Sequence, residues 1–179
     1  MAQVVAGQDA NAVITLVDGS ADMLDKAALR FAGRDSVELV EVSFQNLVRE
    51  DPLEERFDLV ISSLAIHHLP ADEKRKIYSY IYKKLSAGGY LLHLDVVLGV
   101  APYMEEWAME LWKWWVDMWK EAGHTEHDFS DITRRYHEDE ENRPDTLAFH
   151  LDTLQQIGFD PVDTVFRYGP FAIWWGRKS

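Results

Sequence analysis

Four residues could do acid–base chemistry where their spacing places them. His67 and His68 follow an apolar run in FDLVISSLAIHHLP, and His93 and Asp95 alternate along YLLHLDVV. An imidazole titrates near neutral pH, so His67 suits a general base. It reads equally as a loop histidine bonded to backbone, which is the better reading for His68. Residues two apart on a strand share a face, so His93 and Asp95 stand together at a strand's carboxyl end, where α/β sites gather. They read as substrate contacts or as partners of the neighbouring loop. Asp18 closes the run ITLVD, and two acceptor oxygens on a rigid strand end suit a vicinal diol such as a ribose. Neighbouring histidines invite a metal, but no third ligand stands at helical spacing nearby, and none is expected. His124, His127 and His137 lie among carboxylates and read as solvated surface.

These side chains need strands to hold them. Apolar runs at 13–17, 37–42, 57–66 and 90–97 read as buried strands. Between them lie a helix capped by Ser20 and stopped by Gly33, a single turn at FQNLV, and a helix over 71–85 closed by Ser86–Gly89. A helix over 146–157 ends at Gly158. DPVDTVFRY and PFAIWWGRK then read as an antiparallel hairpin turning at Tyr168-Gly169-Pro170. The alternation predicts an α/β fold with a mostly parallel sheet and helices on both faces, one domain over 1–179.

The exception is a helical insertion over 101–145. Its segment PYMEEWAMELWKWWVDMWK carries five of the seven tryptophans. An apolar surface that wide exceeds what one contact with a sheet buries. It reads as core plus a homo-oligomer seam, or as a lid in which Tyr103 and Trp107 enclose a small-molecule substrate.

The 179 residues carry a net charge of −13, which disfavours nucleic acid and anionic membranes as partners. No apolar run approaches the roughly 20 residues that span a bilayer. Without cysteines there is no disulfide framework or thiolate chemistry. The N-terminus lacks the regions of a secretory signal, and a cytoplasmic location is the expectation. Between Glu121 and Asp145 nine acidic residues face three arginines, a solvated connection or a screen favouring cationic or neutral substrates.

VITLVDGSADMLDKAALRF, FDLVISSLAIHHLP, LSAGGYLLHLDVV and LQQIGFDPVDTVFRYGPFAIWWGRK, in that order, resemble the Rossmann-like (class I) S-adenosylmethionine-dependent methyltransferases. The resemblance implies a three-layer sheet with a C-terminal antiparallel hairpin. It implies that Asp18 binds the ribose of S-adenosylmethionine and that Met23 lies against the adenine. Ser43 and Phe44 stand at the next strand end, where the family often has an acidic residue reaching the adenine amine. Ser62 and Ser63 face the methionine portion, and His67 lies in the loop over the sulfonium.

The pattern departs from the family before Asp18. Only 17 residues precede it, none forming a G-x-G, whereas such a carboxylate follows a glycine-rich turn by about 20 residues. The first strand and its turn are missing, and with them the amides that approach a cofactor. The segment 1–12 reads as the tail of the helix after that strand. The missing strand is central, so its neighbours must pair directly, borrow a strand from another copy, or take the N-terminal segment; the first two are favoured. A truncated longer protein fits as well. Two functions follow: methyl transfer to a small molecule, or a non-catalytic remnant acting through oligomer or partner contacts. A dehydrogenase is disfavoured, since its dinucleotide fingerprint is equally absent.

Overall fold

The computed structural model describes residues 1–54, 56–124 and 131–179, in two compact units, Met1–Glu55 and Arg56–Ser179. In the first, helix α1 (Ala2–Gln8) precedes strand β1 (Ile14–Asp18), helix α2 (Ala21–Arg30), strand β2 (Val37–Glu41) and helix α3 (Phe44–Glu50). The strands are parallel, with Ile14 opposite Val37 and Asp18 opposite Glu41. Arg34 ties the loop to α1 by donating to the carbonyls of Ala6, Asp9 and Ala10 at 3.0–3.1 Å. Leu24 and Leu47 are the buried apolar side chains of this unit, a thin core for a two-stranded sheet. The expected single turn at FQNLV extends to seven residues, because Ser43 Oγ caps it by accepting from the Asn46 amide and Asp51 ends it in the left-handed region.

The second unit carries strand β3 (Phe57–Ser63), a 3₁₀ turn (Ile66–His68), helix α4 (Ala71–Lys84) and strand β4 (Leu85–Val96). Helices α5 (Pro102–Glu121), α6 (Ile132–Glu138) and α7 (Leu147–Ile157) follow, then strands β5 (Phe159–Tyr168) and β6 (Phe171–Lys178). The sheet order is β3-β4-β6-β5: β3 runs parallel to β4, and β6 antiparallel to both β4 and β5. The C-terminal hairpin is thus as expected. The strand expected at 90–97 begins earlier, at Leu85, whose side chain is fully buried. Gly89 makes that path passable, since a Cβ there would stand 3.0 Å from Ser86 O and 3.1 Å from Phe57 O.

Helices α4 and α7 cover the sheet face that presents Leu91, His93, Asp95, Ala172 and Trp174, all fully buried. On the other face Trp112 of α5 packs edge-on against Phe171, ring centroids 5.2 Å apart, so three layers form there. Leu59 and its strand partner Tyr90, farther along that face, stay more than two-fifths exposed.

Among the described residues β1 pairs with β2 alone and β3 with β4 alone. Residues 2–8 are helical, in keeping with their reading as the tail of a helix.

Candidate functional site

At the carboxyl end of β4, Asp95 is fully buried and acts as an acceptor for five N–H groups. Oδ2 receives the Ile66 and His67 amides at 3.1 Å each and His93 Nε2 at 2.9 Å; Oδ1 receives His67 Nδ1 at 2.5 Å and the Val96 amide at 2.9 Å. Burial alone would raise its pKa, but the hydrogen bonds from His67 and His93 outweigh that and hold the carboxyl well below its ordinary range. Asp95 is thus an anion at neutral pH, and the 3₁₀ turn presents two backbone amides to it. Of the two readings of the His93–Asp95 pair, Asp95 takes the second: it pairs with the neighbouring loop. Neither side chain reaches the surface.

His67 is the one member of the group that does, with 10% of its side chain exposed. Its ring lies 3.9 Å from that of His68, whose Nδ1 meets the Glu141 carbonyl at 3.2 Å. The loop is fastened from the far side too. The Arg143 amide donates to His67 O at 3.0 Å, while Lys74, fully buried in α4, donates to the Arg143 carbonyl and to Asp145 Oδ2, the latter at 2.7 Å. A buried ammonium needs such partners. Lys74 stands on the inward stripe with Ile77, Tyr78 and Ile81, where sequence periodicity gives a lysine no reason to be.

Behind Asp95 the polar contacts continue inward. Tyr78 OH lies 3.0 Å from His93 Nδ1 and 2.7 Å from His150 Nδ1, and the Trp174 ring packs on both imidazoles, at 4.4 and 4.7 Å. Burial first, then His93 and Lys74, push His150 down to about 3, so it is neutral. Burial and the Asp95 charge hold Tyr78 well above the ordinary phenol value. Neither Tyr78 nor His150 was singled out from the sequence. The signal for both was a polar ring on an otherwise apolar helical stripe.

Ser62 and Ser63 end β3; Ser62 is in register with His93, half-buried, and Ser63 is exposed. Glu105 begins α5 by reaching back to accept from the Gly99 amide at 2.6 Å. Tyr103 is 71% and Trp107 56% exposed, so the aromatic opening of α5 faces outward. Of the three scattered histidines, His124 packs beside Trp119 and His137 beside Tyr136, while His127 lies outside the described residues.

In the first unit Asp18 closes β1, half-buried. Its Oδ1 accepts from the Ser20 amide at 2.9 Å, and among the described residues Oδ2 accepts no hydrogen bond. A carboxylate so oriented, with one oxygen spare, fits a ribose hydroxyl. Met23 is 51% exposed on α2. Ser43 and Phe44 open α3, where the Ser43 hydroxyl is occupied as the cap. Among the described residues no three potential ligands converge on a metal position, and no helix is long and apolar enough to cross a membrane.

The profile of the family described as a methyltransferase domain matches residues 1–91, just over half of the chain. The carboxy-S-adenosyl-L-methionine synthase of Chromohalobacter salexigens is 25% identical over 114 residues, which are 64% of this chain and 40% of that protein. PigF with SAH superposes on 99% of this chain and 46% of its own, at a TM-score of 0.61 and 16% identity. Human N-acetylserotonin methyltransferase in complex with SAM does so on 99% and 44%, at 0.64 and 15%. The chain thus spans less than half the length of these relatives. With the β3-β4-β6-β5 order and the ordered sequence segments, these matches agree: the chain belongs to the methyltransferase-domain family, in its Rossmann-like, S-adenosylmethionine-dependent class.

Proposed function

We infer that this chain takes part in methyl transfer from S-adenosylmethionine to a small-molecule acceptor bearing an ionisable O–H or N–H, with His67 as the general base. The observation that carries the reading is the 2.5 Å contact of His67 Nδ1 with the buried Asp95. It leaves Nε2 of the neutral ring as the free lone pair. When bound, S-adenosylmethionine supplies an electrophilic methyl group on a sulfonium. The protein then has to position the acceptor, exclude water and take its proton. His67 Nε2 takes the proton and Asp95 stabilises the resulting imidazolium without itself becoming protonated.

On this reading Asp18 holds the ribose diol, and Met23, Ser43 and Phe44 form the adenine side. Ser62 and Ser63 form the methionine side. Tyr103 and Trp107 at the head of α5 enclose the acceptor, and His93 and Asp95 act behind His67 rather than on substrate. The amides of a glycine-rich turn are not among these residues. Incubating the chain with methyl-labelled S-adenosylmethionine and a panel of small phenols, carboxylic acids and amines tests the reading. Label transfer that falls in His67→Ala supports it; transfer undiminished by that change removes His67 as base.

A second reading is a methyltransferase-like chain acting through contacts with its own copies. The outward aromatic face of α5 favours it, since Trp107 and Trp114 are each more than half exposed. Sedimentation showing a monomer at all concentrations would dismiss it.

A further inference from the structure

Two imidazoles share one carboxylate here. His67 and His93 both donate to Asp95, at 2.5 and 2.9 Å, so on distance alone either could carry the proton that Asp95 attracts. Only on His67, which reaches the surface, is that proton useful to a base acting on an acceptor. Something has to choose between the rings.

The hydrogen-bond chain makes the choice. Asp95 is ionised and can only accept, so the ring nitrogens facing it are both N–H: Nδ1 of His67 and Nε2 of His93. A neutral His93 then has its lone pair at Nδ1, 3.0 Å from Tyr78 OH, and the phenol donates to it. With its proton so placed, the Tyr78 oxygen accepts from His150 Nδ1–H at 2.7 Å. That leaves Nε2 of His150 as the bare nitrogen, and it meets no hydrogen-bond partner among the described residues, nor does the Trp174 Nε1–H of the ring packed on it. A buried bare acceptor costs less than a buried N–H without an acceptor.

Protonating His93 at Nδ1 would reverse the chain. Tyr78 would have to accept from His93 and turn its own proton toward His150 Nδ1. His150 would then carry its hydrogen on Nε2, where it has no acceptor. We propose that Tyr78 and His150 are positioning residues that keep His93 neutral, so that the proton drawn by Asp95 resides on His67. The proposal deepens the general-base reading and rests on it for its catalytic meaning; the proton assignment itself stands on the hydrogen-bond geometry.

The surroundings agree. Lys74 of α4, paired with Asp145, opposes protonation of His150 through its charge. Trp174 of β6 covers His93 and His150, and Phe149 stacks edge-on to His150 at 5.3 Å. On the His67 side stands His68, and burial and then Glu105 hold the Tyr136 phenol un-ionised.

Two-bond ¹⁵N–¹H correlation spectra of the histidine rings of the full chain, recorded at neutral pH without cofactor or acceptor, test the proposal. Expected at neutral pH are Nδ1–H on His67, Nε2–H on His93 and Nδ1–H on His150. His150→Leu frees the Tyr78 oxygen to accept from His93, whose Nδ1 is then expected to gain N–H character. Tyr78→Phe is expected to leave His93 Nδ1 bare, because a proton there would have no acceptor. The opposite tautomers in the unaltered chain, or a folded His150→Leu variant with the His93 Nδ1 resonance unmoved, would overturn the proposal. A merely structural role for His150 predicts that last result. Calorimetry with S-adenosylmethionine is scored separately: an absent heat removes the catalytic reading and leaves the proton assignment to the spectra.

Discussion

His67 and Asp95 are joined twice, ring Nδ1 to Oδ1 at 2.5 Å and backbone N–H to Oδ2 at 3.1 Å. The carboxylate therefore sets the position of the loop and the orientation of its imidazole together. Changing Asp95 to Asn keeps the shape and turns one acceptor oxygen into a donor facing N–H groups. We expect a loss of about 3 kcal/mol or more in unfolding free energy. In the folded fraction, the His67 tautomer is no longer enforced, and methyl transfer falls by about 10²–10⁴. Denaturant unfolding and single-turnover transfer measure the two effects separately.

Lys74 tests the far side of the loop. Lys74→Met removes the ammonium that holds the Arg143 carbonyl and Asp145. With 29% of the Asp145 side chain exposed, water relieves part of the orphaned charge. The expected cost is about 2 kcal/mol, and hydrogen exchange at the Arg143 amide, bonded to His67 O, should quicken. Exchange there that is unaltered would show the loop held without this ion pair.

The neutral state of His150 has a pH consequence. Its pKa is about 3 folded against 6.5 unfolded. Between those values the unfolded chain binds the extra proton, so stability is full above pH 6.5 and falls on acidification, by at most about 1.4 kcal/mol per pH unit. Asp95, depressed below 3.8, adds a loss with the same sign at lower pH. His150→Phe is expected to flatten the profile of unfolding free energy between pH 6 and 4, read by urea titration.

Aromatic residues at the head of α5 separate the two uses of that helix. If Tyr103 and Trp107 enclose the acceptor, Trp107→Ala raises its KM about tenfold and leaves kcat within a factor of about two. A change in sedimentation with no change in KM would assign the face to association.

Period-two and helical patterns made most of the architecture legible. The strand runs, the Gly158 stop and the hairpin at Gly169 are local signals, and the i, i+2 spacing was enough to place His93 beside Asp95. What stayed hidden was made by contacts between elements. Nothing in α4 or α7 as isolated sequences pairs Tyr78 with His150, and no helical stripe asks for a buried lysine at 74. The start of β4 at Leu85 escaped because SAGG reads as a turn, whereas Gly88 takes a positive φ and Gly89 permits a close approach of backbones inside the sheet. The outward placement of the α5 aromatics follows from what the chain packs against, which composition does not encode.

Isothermal titration of the chain with S-adenosylmethionine, repeated with Asp18→Ala, tests the central claim most directly. Saturable heat is expected for the unaltered sequence, with affinity reduced about tenfold or more in the variant as a carboxylate–diol bond is lost. No detectable heat at millimolar cofactor, or equal binding by both proteins, would contradict it.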